Sequence, residues 1–318
     1  MLVRRVVSAA VTLFITVALN FVLLRVIKSD PVATLTRGRK VSQEKRAELR
    51  ERFGLDDTII VQFGKYLREL ARGNLGYSLQ SGRSVTSEIA DRIWPTISLV
   101  GLSTVLSAAI GLWIGIRAGW RPGSWFDRIS TSTTMLFYST SDAFFGLLLA
   151  FVFTSKLQWF PTGGIIDPRS DNVGLARLFE QLHHMVLPLT VLTLGYLGQY
   201  SLVMRASVVE TSREDFLTLA RAKGAREDVV RRRHAVPNAL LPSVTLVALN
   251  AGFVLGGAIV VETIFTWPGL GLEFSRSLKA GDFPMLQGLF LISSASVIVL
   301  TTLADILYSR LDPRVELA

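Results

Sequence analysis

Apolar residues in this chain gather into blocks separated by charged stretches. Near-continuous apolar runs cover residues 6–27, 96–116, 131–154, 185–204, 243–261 and 287–308. A helix of about 20 apolar residues crosses a hydrocarbon core of about 30 Å. Lipid offers no partner to backbone N–H and C=O groups, so such runs must bond internally as helices. A membrane barrel would instead show many segments of about 10 residues alternating in polarity. The pattern therefore predicts an all-α membrane protein with about six transmembrane helices. Pro188 falls inside the fourth run and Pro242 opens the fifth. A first helical turn accepts proline, and membrane helices accept it more freely than soluble ones. Between the first two runs, 43–53 and 59–70 have the spacing of short amphipathic helices. The chain thus divides into an N-terminal transmembrane helix (1–27), an extracytoplasmic segment (28–95), and a five-helix core (96–318) that contains a cytoplasmic loop (205–242).

Charge sets the orientation. The 318 residues carry a net charge of +9. A basic protein can bind nucleic acid, but membrane proteins concentrate Lys and Arg in cytoplasmic loops, and nucleic acid is not expected as a partner. Arg117, Arg121 and Arg128 mark one short loop. Arg205, Arg213, Arg221, Lys223, Arg226 and Arg231–Arg233 mark another, and Arg310 and Arg314 the tail. The opposite loops carry only Lys156, Arg169 and Arg177, then Arg276 and Lys279. Both termini are therefore expected in the cytoplasm. The segment 28–95 is also basic, but loops longer than about 60 residues translocate largely regardless of charge. The first run follows Arg4 and Arg5 and exceeds the usual apolar core of a signal peptide, about 7–15 residues, so it reads as uncleaved. The chain has no cysteine, which excludes disulfides and thiolate metal sites.

The stretch 212–242, SREDFLTLARAKGAREDVVRRRHAVPNALLP, is the richest in signals. Ser212 reads as an N-cap, with Glu214 and Asp215 in the first turn. Phe216, Leu219 and Ala220 share a helical face. Gly224 ends that helix, and a second short helix is expected from Arg226 to about His234, stopped by Pro237. Ala220 and Gly224 lack bulk, so another surface can approach the backbone, while charged neighbours such as Lys223 steer more than they hold. The residues alone leave two readings open: a docking element, or a basic loop that only fixes topology.

Other features carry less. No G-x-x-x-x-G-K-[ST] string occurs, since the glycine-rich stretch 73–82 leads to Arg83, so nucleotide binding by that route is not expected. His183 and His184 make an incomplete metal site. Gly111 with Gly115, and Gly252 with Gly256, have the spacing of close helix packing. Asn20, Gln199, Tyr200, Asn250 and Asp305 are polar groups inside the runs. Gln199 and Asn250, on the spans flanking the basic loop, either line a pore or bond between helices. No nucleophile–base pair or paired acids suggest an intramembrane enzyme, and no catalytic residue is assigned. A self-sufficient channel would need no docking loop.

The spacing of Ala220 and Gly224, then nine residues, then His234-Ala235-Val236-Pro237, resembles the cytoplasmic coupling motif of ABC-importer permeases. Thr218-Leu219-Ala220 replaces the generic Glu-Ala-Ala opening, and His234 replaces an apolar residue as in the peptide/nickel branch. GLDDTIIVQFGKYLRELARGNLGYSL (54–79), PTGG (161–164), VVETIFTWPGLG (260–271), DFPMLQG (282–288) and the ending DPR (312–314) are similar, in order, to the B-type subunit of dipeptide and oligopeptide permeases. The resemblance implies the ABC type I importer permease fold in the inner (cytoplasmic) membrane. It implies a second, C-type permease, two ATPase subunits carrying ATP and Mg²⁺, and an extracytoplasmic solute-binding protein. This chain would bind no cofactor or metal itself and would be no enzyme. Glu214, Asp215, Phe216, Leu219, Ala220, Lys223, Gly224, His234 and Pro237 would couple it to the ATPases. The fifth span, over 252–257, would face the second permease. The implied solute is a di- or oligopeptide, with nickel chelates, glutathione or another small solute as alternatives.

Overall fold

A computed structural model describes the backbone of residues 2–26 and 58–311 and the side chains of 7–22 and 58–303. The expected helix over 43–53, the ending 312–314 and the Asp305 side chain lie outside the described residues. Among the described residues the chain is all-α, with one isolated bridge between Tyr77 and Ser84.

Each apolar run is helical. The first is α1 (Leu2–Val26). The amphipathic helix expected over 59–70 is α2 (Ile59–Ala71), whose Phe63 and Tyr66 rings pack on Phe14 and Phe21 of α1. The second run belongs to α3 (Val85–Trp120), which starts outside the apolar block and crosses the boundary drawn at 95/96. Ser84 sets that start, its Oγ accepting from Ser87 N–H. Proline removes one intrahelical donor, and after Pro95 the helix widens into a π turn over Ile97–Gly101. The Pro95 carbonyl accepts from Ser98 Oγ at 2.9 Å and from the Trp267 indole at 2.8 Å.

The third run is not one helix. α4 (Trp125–Ser139) and α5 (Asp142–Lys156) meet at 97°. The break falls on Ser139-Thr140-Ser141-Asp142, where short polar side chains compete for the backbone. Thr140 and Ser141 are extended, and Ser141 Oγ accepts from Ala143 N–H to start a new helix. The fourth run extends well beyond 185–204 at both ends as α6 (Leu175–Thr211), with Pro188 inside it. The fifth is also broken. α8 (Leu241–Gly252) ends in a 3₁₀ turn (Val254–Gly256) and Gly257 at φ +72°, before α9 (Ile259–Ile264). After α10 (Leu270–Ala280), α11 (Phe283–Leu311) is the last span. Among the described residues α3, α6, α11 and the stretch from α8 through α9 are long and apolar enough to cross a membrane, the bent α4–α5 pair makes a fifth, and α1 adds the shorter apolar stretch Val7–Val22.

Small residues decide the central packing. A Cβ on Gly111, Gly115 or Gly119 would lie 2.9, 2.6 and 2.7 Å from the carbonyl oxygens of Leu197, Ser201 and Arg205. The first glycine pair is therefore a seam within this chain, between α3 and α6, lengthened by Gly119. Of the second pair, Gly252 lies in ordinary contact with Val297 of α11, whereas a Cβ on Gly256 would meet nothing within 4 Å; the neighbouring Gly257 approaches Gly271. α1 joins α11 through Asn20 Nδ2, which donates to the Gln287 carbonyl at 3.0 Å.

The loops sort into two ends. PTGG meets the α9–α10 turn through Gly164 N–H and the Phe265 carbonyl, 3.0 Å apart, and Ser78 meets Asp282. At the other end the 121–124 turn joins the segment after α6, because Trp120 packs with both Leu217 and Ala239 clusters.

Candidate coupling site and membrane polar groups

The segment after α6 is built around one buried side chain. α7 covers Asp215–Ala222. Ser212 is not its N-cap: α6 runs on to Thr211, so Ser212 closes α6 and its Oγ donates to the Val209 carbonyl at 2.7 Å. Glu214 occupies the N-cap in extended conformation without a side-chain cap, and Asp215 is in the first turn. Leu217 is fully buried with Val230 and Ala235, bordered by Trp120, Ala220 and Ala225. Phe216 and Leu219 face away from that anchor and are 41% and 56% exposed. Ala220 sits between the two faces, partly covered by its own chain.

The end of α7 is a Schellman turn. Gly224 N–H donates to the Arg221 carbonyl at 2.9 Å and Ala225 N–H to the Ala220 carbonyl at 3.2 Å, with Lys223 as C-cap. Gly224 has φ +83°, and a Cβ there would meet nothing within 4 Å. Backbone conformation, and not crowding by this chain, is what demands glycine. Arg221 Nε then bridges to Glu227 across the turn at 2.9 Å.

Pro237 does not stop the second helix. Helix continues through Glu227–Val229, a π turn over Val230–Ala235 that contains His234, and Val236–Ala239. The π turn shifts the hydrogen-bond register, so Pro237 falls in a new first turn, where its missing N–H costs little. Asn238 Nδ2 donates to the His234 carbonyl at 2.6 Å. A cleft of about 550 Å³ opens where α6 meets α7, lined by Arg205, Val209, Glu210, Arg213 and Asp215 among others. Arg205 leaves that cleft to grip Asp127 with two hydrogen bonds, of 2.5 and 2.8 Å, tying α6 to the start of α4.

Deeper in the spans, Asn250 Nδ2 donates to Gln199 Oε1 at 3.3 Å and to the Tyr200 hydroxyl at 3.0 Å. The two groups singled out in the sequence thus bond to each other between α6 and α8. A cavity of about 310 Å³ adjoins Gln199 at the α4–α5 bend.

Two family models match. The binding-protein-dependent transport system inner membrane component model covers residues 111–317, and the N-terminal membrane-component model of such systems covers residues 1–100. The chain belongs to this family of inner membrane components. Among its relatives, the oligopeptide transport system permease protein AppB of Bacillus subtilis is 35% identical, with 98% of each chain covered. The dipeptide transport system permease protein DppB of Alkalihalophilus pseudofirmus is 31% identical over 93% of each chain. The glutathione transport system permease protein GsiC of Pectobacterium atrosepticum is 35% identical over 99% of this chain and 98% of its own.

In this family member, the sequence pattern points to α7, Gly224, Gln199 and Asn250 but not to five buried or anchoring positions. Glu262 is fully buried. Its Oε2 accepts from Leu272 N–H at 3.0 Å, at the start of α10, and its Oε1 accepts from Thr96 Oγ at 3.2 Å. Thr96 Oγ in turn accepts from Leu270 N–H at 2.7 Å. Asp282 accepts from Ser78 Oγ at 2.5 Å and Gln80 N–H at 3.1 Å. Leu217 and the Asp127–Arg205 pair complete the set. The available signal was an acid within an apolar or loop motif: VVETIF, GDFP and WFDRIS. His183 Nε2 lies 3.0 Å from the Trp159 carbonyl, and His184 Nδ1 lies 3.2 Å from the Gly163 and Gly164 carbonyls. His184 therefore holds the PTGG loop and His183 the segment leading into it.

Proposed function

We propose that this multi-pass permease is a pore-forming subunit of an ATP-driven importer that carries di- or oligopeptides across the cytoplasmic membrane. The observation that carries the coupling part is the exposed Phe216–Leu219 face on a helix bolted to the spans through Leu217. A large apolar pair beside a charged cleft suits a protein partner. Leu217 packs with Trp120 at the end of α3 and with Val230 and Ala235 leading into α8. A partner that moves α7 would therefore move two spans as rigid bodies. On this reading Glu214, Asp215, Phe216, Leu219, Ala220, Lys223, Gly224, His234 and Pro237 form or frame the dock for two ATPase subunits, which hold ATP and Mg²⁺.

The loops 117–130 and 205–242 and both termini are then cytoplasmic, as the charge bias requires. A C-type permease completes the pore, and an extracytoplasmic binding protein delivers solute near the segment 28–95. The peptide assignment follows the transport systems to which the relatives belong. Two are named for oligopeptides and dipeptides, and a third for glutathione, itself a tripeptide derivative.

The test is uptake of radiolabelled trialanine into proteoliposomes holding this chain, its second permease and its ATPases, with the binding protein supplied outside. ATP-dependent uptake that needs all four components is expected. Uptake or ionic current from this chain alone would overturn the importer reading.

A further inference from the structure

The bend between α4 and α5 presents a charged group that neither the helix packing nor the coupling end uses. Asp142 opens α5 and borders the cavity of about 310 Å³, together with Tyr138, Thr140, Ser141, Tyr196 and Gln199. A Cβ on Gly195 would lie 2.7 Å from Asp142 Oδ1, which places the carboxylate against the middle of α6.

Asp142 is exposed on this chain, whereas the acids buried beside the spans are satisfied. Asp127 is held by Arg205 and by Gly123 N–H, and Glu262 by Leu272 N–H and Thr96. Among the described residues no cation and no hydrogen-bond donor is placed on Asp142. The start of α5 does not need it, because Ser141 Oγ already accepts from Ala143 N–H. The helix dipole favours an acid at that position, but by less than a lone charge inside a membrane costs. Such a charge is kept where it meets water and a ligand.

We propose that Asp142 is a substrate-binding residue on the translocation path, and that it takes the positively charged amino terminus of the solute. The cavity volume is in the range of small-ligand sites. The Asn250 amide holds Gln199 Oε1 from behind, which leaves the Gln199 amide nitrogen to donate to a peptide carbonyl. Tyr138 and Tyr196 supply apolar walls with hydroxyl tips. This inference rests on the peptide-importer reading above.

The test uses the complete transporter in proteoliposomes, with the binding protein and trialanine. Asp142→Asn is expected to lower uptake at least tenfold, and Asp142→Glu to keep more than a third of it. The double variant Asp142→Asn/Gln199→Glu moves the carboxylate across the same cavity and is expected to recover at least threefold over Asp142→Asn. Copurification of the second permease should be unchanged throughout. Wild-type uptake by Asp142→Asn, with the parent complex active, overturns this inference and leaves the importer reading intact. Failure of Asp142→Asn to assemble with the second permease also overturns it, since Asp142 would then pair with that subunit. No rescue by the double variant counts against it in the same way. A parent complex that imports no trialanine overturns the peptide reading, and this inference with it.

Discussion

Around Glu262, buried polar groups tie three elements together; α7 hangs on one buried leucine and shows two large apolar side chains to solvent. Glu262 and Thr96 link α3, α9 and α10, and a Cβ on Gly269 would lie 2.4 Å from Glu262 Oε2. No such network is seen around α7 among the described residues, and a Cβ added at Gly224 would meet nothing within 4 Å. A closed polar network stabilises one arrangement, because each lost partner leaves a buried group unsatisfied. A helix with one anchor and an open apolar face has its other contacts still to make. The difference separates a closed network from an open face, and the open face is the one proposed above as the dock.

The largest effect is expected from Glu262→Ala. It strands Leu272 N–H and the Thr96 hydroxyl in a dry site and should cost about 3 kcal/mol or more. Thermal unfolding of the detergent-solubilised chain should show it, whether or not partners are present. An unfolding midpoint equal to the parent's would mean that this network does not hold the spans.

Leu217→Ala comes next, at about 2–3 kcal/mol for a fully buried leucine. Its effect should be local: α7 should become accessible to protease while the helices stay inserted. Protection of α7 equal to the parent's would mean that the helix has another anchor.

Gly224 gives the smallest change in fold. Alanine at φ +83° should cost about 1 kcal/mol, whereas asparagine tolerates the left-handed region and should cost less. Comparing Gly224→Ala with Gly224→Asn in ATP-driven uptake then separates backbone from surface. If the turn alone matters, asparagine should be the milder of the two. If both variants fail equally with α7 intact, a partner needs the bare backbone.

Much of this architecture was legible in the chain. Six apolar runs announced six helical regions. The bend at Ser139–Asp142 was hidden because residues on both sides are apolar, so a hydropathy run passes over the polar tetrad. The Ser212 cap was misread because α6 continues beyond its apolar stretch, which hydropathy cannot register. The Phe216, Leu219 and Ala220 face was legible as a helical stripe. That Leu217 lies behind it, and that Ala220 is partly covered, depends on Val230 and Ala235 arriving from the second helix. Bulk at Ala220 would consequently disturb the anchor as well as the dock, which makes Phe216 and Leu219 the cleaner probes. Glu262 and Asp282 were legible only as acids, since their partners lie far away in the chain.

The account's central claim is that the open face of α7 is where the ATPases dock. The most direct measurement is made on Phe216→Ser/Leu219→Ser in the full transporter. Insertion and thermal unfolding should match the parent, because both side chains are exposed. ATPase copurification and binding-protein-stimulated hydrolysis should fall at least tenfold, which corresponds to about 1.4 kcal/mol of lost docking free energy. Parent-level copurification and uptake in that variant would contradict the claim and leave 205–242 as a topological anchor.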